Sequence, residues 1–116
     1  MREKIRDRER LEHILSSLDI LISNRGRYSD EAIVCDPIVF FGFVKHLEMV
    51  GEAAYKLTKD FKNLHPEIGW SQIEGMRHVM VHGYYQIEKS IVISTIREDI
   101  DMLRDSVMKI LLDYDS

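Results

Sequence analysis

The sequence is short of the features that would assign it to several large classes of protein. No stretch of about 18 successive apolar residues occurs, so no membrane-spanning helix is expected. The opening residues MREKIRDRER are charged throughout and have no apolar centre, which excludes a signal peptide from the reading. One cysteine, Cys35, cannot form an internal disulfide, so a reducing, cytoplasmic setting is expected, with the thiol buried or idle. His13, His46 and His65 show no metal-ligand spacing, and no metal site or cofactor is expected. Glycine-rich phosphate loops and serine-nucleophile motifs are also missing. No sustained period-two alternation of apolar and polar residues suggests a strand. Positive charge is not in excess either: the formal net charge is −4, which argues against a protein that coats nucleic acid. The charge is uneven, however. Residues 1–10 carry five basic and three acidic side chains, so the remainder holds −6, and a local basic site is still available.

Only 2 prolines and 6 glycines interrupt 116 residues, which leaves room for long regular elements in one domain spanning 1–116. Ile93, Ile96, Ile100, Leu103, Val107, Ile110 and Tyr114 follow steps of three and four, one stripe of a helix from Glu88 or Ser90 to Tyr114. Glu98, Asp99, Asp101 and Asp105 fall off that stripe and are expected in water. Phe40, Phe43, Leu47, Val50, Ala54 and Leu57 repeat the pattern behind Asp36-Pro37, a capping aspartate before a first-turn proline. Leu11, Ile14 or Leu15, Leu18, and Leu21 or Ile22 do the same, up to Asn24-Arg25-Gly26, where glycine can form a left-handed cap. After the break at His65-Pro66 and Gly69, Trp70, Ile73, Met76 and Met80 resume helical spacing as far as His82-Gly83. Four amphipathic helices with short connections predict an all-α antiparallel bundle, and Tyr28–Val34 is left open as one extra short helix. A chain this small buries a modest share of its surface, so a homodimer is an economical supplement.

The chemistry gathers at the end of the helix that follows Trp70. Arg77, His78, His82, Tyr84 and Tyr85 lie within nine residues. Arginine offers a permanent charge and a planar fork of donors suited to phosphate. Histidine exchanges protons near neutrality. Tyrosine brings a hydroxyl and a ring able to stack on a base. Five residues put Arg77 and His82 about 140° apart on an ideal helix. Convergence therefore needs a frayed helix end or a second subunit.

Arginine, four residues, histidine, one residue and tyrosine, here Arg77, His82 and Tyr84, resemble the signature of the HepT-like toxins of the HEPN superfamily. The segments HPEIGW, EGMR and EMVGEAAYKLTKDF resemble that family too, and the likeness runs from about Leu11 to Ile110. It implies a HEPN-like up-and-down four-helix bundle that dimerises, with two copies of the motif facing each other across a cleft. It also implies metal-independent endoribonuclease activity on RNA. His82 would act on the ribose 2′-hydroxyl or the leaving 5′-oxygen, and Arg77 would stabilise the phosphorane-like transition state. The product would be a 2′,3′-cyclic phosphate. The resemblance further implies a minimal nucleotidyltransferase antitoxin that silences the toxin by adding AMP to Tyr84. Where many members of the superfamily place asparagine or aspartate after the arginine, this chain has His78, read as a substrate-binding group or a surface residue.

Each of these residues has an ordinary reading as well. A helix arginine is by default solvated, and a histidine at a helix end bonds a backbone carbonyl and favours the dipole there. Tyr84 fits the rim of an interface, and Tyr85 fits packing. Glu48, Glu52 and Tyr55 form a second stripe beside the core stripe, an exposed or interface face. The sharper reading has Glu52 orienting Arg77 or His82 from the neighbouring helix. The alternative function is a non-catalytic helical module that binds nucleotide or RNA and serves mainly as the nucleotidyltransferase's partner and substrate.

Overall fold

The computed structural model describes the backbone of residues 2–82 and 88–114, and the side chains of 6–77 and 88–114. The described residues are helical and contain no strand, the all-α class expected. The elements are α1 (Arg2–Arg25), α2 (Asp30–Cys35), α3 (Pro37–Tyr55), α4 (Lys59–Leu64), α5 (Trp70–His82), α6 (Lys89–Ser94) and α7 (Ile100–Tyr114). A π-helical turn, Thr95–Asp99, joins the last two into one continuous run. Helix α3 lies between α1 and α5, and α1 also packs against α7.

The three expected stripes make the core. Leu11, Ile14, Leu18 and Leu21 of α1 meet Phe40, Phe43, Leu47, Val50 and Ala54 of α3, all buried. Ile100, Val107 and Ile110 close the opposite side from α7. Asp36 caps α3 as its position before proline requires: Oδ1 accepts from the Ile38 N–H at 2.9 Å and the Val39 N–H at 3.4 Å. The open segment Tyr28–Val34 contributes to a real helix, α2, capped by Ser29 Oγ accepting from Ala32 N–H at 3.1 Å.

Four local expectations change. Gly26 has no positive φ; α1 instead ends in a turn closed by Arg27 N–H donating to the Asn24 carbonyl at 3.0 Å. Cys35 is exposed at the end of α2 rather than buried. A second short helix, α4, follows a break at Lys56–Thr58. It is held by a buried acid: Asp7 of α1 accepts from Thr58 N–H at 2.9 Å and from Thr58 Oγ1 at 2.6 Å, while Thr58 Oγ1 caps Phe61 N–H at 3.2 Å. Finally, Asp101 is half exposed rather than wholly in water, because it accepts both ends of the Arg25 guanidinium at 2.7 and 2.9 Å.

The π turn alters the stripe ahead of it. A wide turn adds a residue, rotating the helix before it by about 100° relative to an unbroken α-helix. Val92 is therefore fully buried, where the stripe placed Ile93, which is only partly buried. The Ile96 carbonyl in the wide turn accepts from Arg25 Nη1 at 2.9 Å. From the same turn, Arg97 reaches the carbonyls of Arg25 and Tyr28 at 2.6 and 2.8 Å and the Asp30 carboxylate at 2.9 Å. Two arginines thus tie the end of α1 and the start of α2 to the π turn.

Replacing Arg25 with alanine should destabilise the fold by about 1–2 kcal/mol, because it removes a bidentate pair and the partner of a helix carbonyl. The Arg25 guanidinium holds the Asp101 carboxyl below the usual carboxylate range. A depressed folded-state value means the stabilisation is complete above the unfolded value of about 4 and is lost as pH falls through the folded one. Urea melts at neutral and acid pH check this: the gap between wild type and Arg25→Ala should narrow below about pH 4. A gap that is constant with pH would remove Asp101 from the account.

Candidate active site

The site is set by the way α5 crosses α3. Trp70 is buried and starts α5, its Nε1 donating to the His65 carbonyl at 3.0 Å beside the Phe61 ring. From α4, Lys62 pairs with Glu74 at 3.0 Å, and both side chains are largely covered. Gly51 of α3 lies at the crossing itself. A Cβ there would sit 2.7 Å from the Arg77 backbone nitrogen and 3.0 Å from the Ile73 carbonyl oxygen. The two backbones touch, and only glycine permits it.

This contact brings Arg77 out beside the end of α3. Its Cζ lies 3.5 Å over the centroid of the Tyr55 ring, a stacked cation–π arrangement. Its Nη1 is 3.6 Å from Glu52 Oε2, close enough for charge attraction but too long for a hydrogen bond. Among the described residues, Nε is buried and has no hydrogen-bond partner. The side chain is 26% exposed, so it is partly open to solvent. Glu52 also stands 3.8 Å from Lys56 Nζ.

Glu52 faces a second feature. With Lys45 and Glu48 of α3, Lys56 just beyond its end, and Arg6, Glu9, Arg10 and His13 of α1, it lines an open groove of about 560 Å³. Part of the basic excess of the N-terminal segment is therefore placed next to the Arg77 cluster.

Of the site residues expected from sequence, Arg77 and Glu52 are brought together. The backbone of α5 continues helically through His78 and His82, whose side chains lie outside the described residues, as does all of Tyr84. Because the helix is unbroken to His82, five helical steps separate it from Arg77, and fraying does not shorten that path. Two contributors went unassigned from sequence. Tyr55 lies on the expected face, but its spacing carries no sign of the arginine over its ring. Gly51 carried a partial signal, a glycine inside a helical pattern, which often marks a close packing contact, although Gly42 of the same helix marks none.

The chain is similar to known proteins over most of its length. The profile of the family described as HepT-like, ribonuclease HepT-like, matches residues 10–110. A protein of Caldanaerobacter subterraneus subsp. tengcongensis, named for RNase activity, is 38% identical over 101 residues, covering 87% of this chain and 90% of that relative. A relative from Thermococcus cleftensis, named for ribonuclease HepT, is 31% identical over 100 residues, covering 86% and 91% of the two chains. A third, from Methanocaldococcus jannaschii and also named for RNase activity, is 27% identical over 102 residues, covering 88% of each. No solved structure matches the chain. With most of its length covered by the family profile and by relatives above 30% identity, the chain belongs to the HepT-like ribonuclease family.

Proposed function

We propose that this chain is the toxin of a two-component toxin–antitoxin pair, a cytoplasmic endoribonuclease that cuts RNA without a metal ion at a cleft between two copies of itself. The observation that carries the reading is Arg77, stacked on Tyr55, faced by Glu52 and partly open to solvent at the head of the motif. A guanidinium held this way is suited to the charge that develops on a phosphate under attack. The nucleophile is the substrate's own 2′-hydroxyl, which restricts the reaction to RNA. Its oxygen bonds to phosphorus as the bond to the 5′-oxygen breaks, leaving a 2′,3′-cyclic phosphate and a 5′-hydroxyl. His82 takes the proton from the 2′-hydroxyl or gives one to the leaving oxygen. Glu52 orients Arg77, and His78 contacts substrate. The regular path of α5 supports a dimer, because a second copy can bring its His82 beside Arg77 across the cleft.

The partner is a minimal nucleotidyltransferase that transfers AMP to Tyr84. Bulk and negative charge at the cleft mouth would then repel RNA phosphates. One experiment tests both halves. Purified chain is incubated with total cellular RNA in EDTA, before and after treatment with the partner and ATP. Cleavage to cyclic-phosphate ends, silenced once mass spectrometry finds AMP on Tyr84, is the expected result. RNA bound but never cut by unmodified chain would favour the non-catalytic partner role, and AMP on another residue would end the Tyr84 assignment.

A further inference from the structure

We infer that Tyr55 is a positioning residue for Arg77, its ring fixing the plane of the guanidinium so that the free edge meets an RNA phosphate. The inference rests on the reading of Arg77 as the phosphate-contacting group and adds the device that holds it. The other contacts draw this arginine toward Glu52 without setting the plane of its guanidinium. The Glu52 carboxylate stands 3.6 Å from Nη1, a distance that attracts without the directionality of a hydrogen bond. Among the described residues Nε has no hydrogen-bond partner at all. The Tyr55 ring, 3.5 Å below Cζ, is the contact that defines the plane.

Stacking and phosphate binding use different parts of the same group. The ring occupies a face of the guanidinium, while phosphate oxygens accept in its plane, along the N–H edges. Tyr55 therefore orders the side chain without competing for its donors. An arginine left free would have to lose its rotamer freedom on every binding event, which weakens both affinity and alignment. Tyr55 is half exposed at the last position of α3, so its ring contributes little to the core. Gly51 supplies the close crossing that brings α5 to the ring's level.

The test compares wild type, Tyr55→Phe, Tyr55→Leu and Arg77→Ala on a short single-stranded RNA, with circular dichroism as the check of folding. Tyr55→Phe keeps the π face and should stay within about twofold of wild type. Tyr55→Leu keeps bulk but not the π face, and kcat/KM should fall roughly ten- to hundredfold with the pH profile unchanged. Leucine and phenylalanine variants of equal activity, high or low, would overturn the inference. If Arg77→Ala cuts as well as wild type, the reading of the site fails first, and the role of Tyr55 falls with it. A second measurement needs no variant to fold. NMR of the wild-type chain should show the Arg77 side-chain protons shifted upfield by the ring current of Tyr55, and unshifted protons would overturn the stack.

Discussion

Replacing His82 with alanine should leave a folded protein that cuts RNA about 10²–10⁴-fold more slowly, the range expected when a positioned acid–base group is lost. His82 stands at the end of α5, after the buried contacts of Trp70 and the crossing at Gly51 have anchored that helix. His82 is the last residue of α5, so its replacement touches only the final turn of that helix, and the cost in stability should be small. Arg77→Ala should cost roughly 10²–10³-fold, the usual effect of losing a donor to a charged transition state. Glu52→Gln keeps the shape and removes the charge that attracts Arg77, so a smaller loss of about tenfold is expected. Cleavage of a labelled RNA in EDTA, with circular dichroism on each variant, checks the series. A His82→Ala protein cutting at the wild-type rate would remove the histidine from the mechanism. The rank order matters as much as the sizes: a Glu52→Gln loss equal to that of His82→Ala would give the carboxylate a direct part in the chemistry.

What the sequence made legible follows from where the physics is local. Most of the core stripe of α3 could be read, because Phe40 to Ala54 repeat at helical spacing behind a capping aspartate and a proline, although Val44 and Ala53 are buried too and Leu57 lies beyond the helix. The same rule erred by one residue at Val92 and Ile93, since a π turn changes the helical phase without a glycine or proline to announce it. Helix α4 was hidden for a different reason. Its cap depends on Asp7, 51 positions earlier in the chain, and spacing near Thr58 says nothing of it. At the site, Arg77 and Glu52 were named from motif and stripe, and they meet across two helices. Tyr55 was harder, because an aromatic on an exposed stripe looks the same whether or not an arginine lies over its face. The proximity is decided by the α3–α5 crossing, a tertiary fact that the sequence encodes in one glycine.

That glycine supports the second large prediction. Gly51→Ala should destabilise the fold, although alanine is the better helix former by about 1 kcal/mol. The opposing effect is steric. The new Cβ would meet backbone atoms of α5 at 2.7 and 3.0 Å, and backbone, unlike a flexible side-chain tip, has no rotamer into which to retreat. Overpacking of this kind costs about 1–3 kcal/mol, enough to outweigh the gain in propensity. Gly51→Val, larger and β-branched, should go further and compromise folding. Gly42, also in α3, is the internal control, since a Cβ there meets nothing within 4 Å. Gly42→Ala should therefore stabilise by up to about 1 kcal/mol. Activity adds a second reading of the same variant. To admit a Cβ, α5 must move away from α3 and carry Arg77 off Tyr55 and Glu52. Gly51→Ala should then lose RNA cleavage at temperatures where it remains fully folded. Thermal melts of the two alanine variants, paired with cleavage assays well below both midpoints, decide the matter. If Gly51→Ala is stabilised as Gly42→Ala is, the backbones do not touch, and the placement of Arg77 must have another origin.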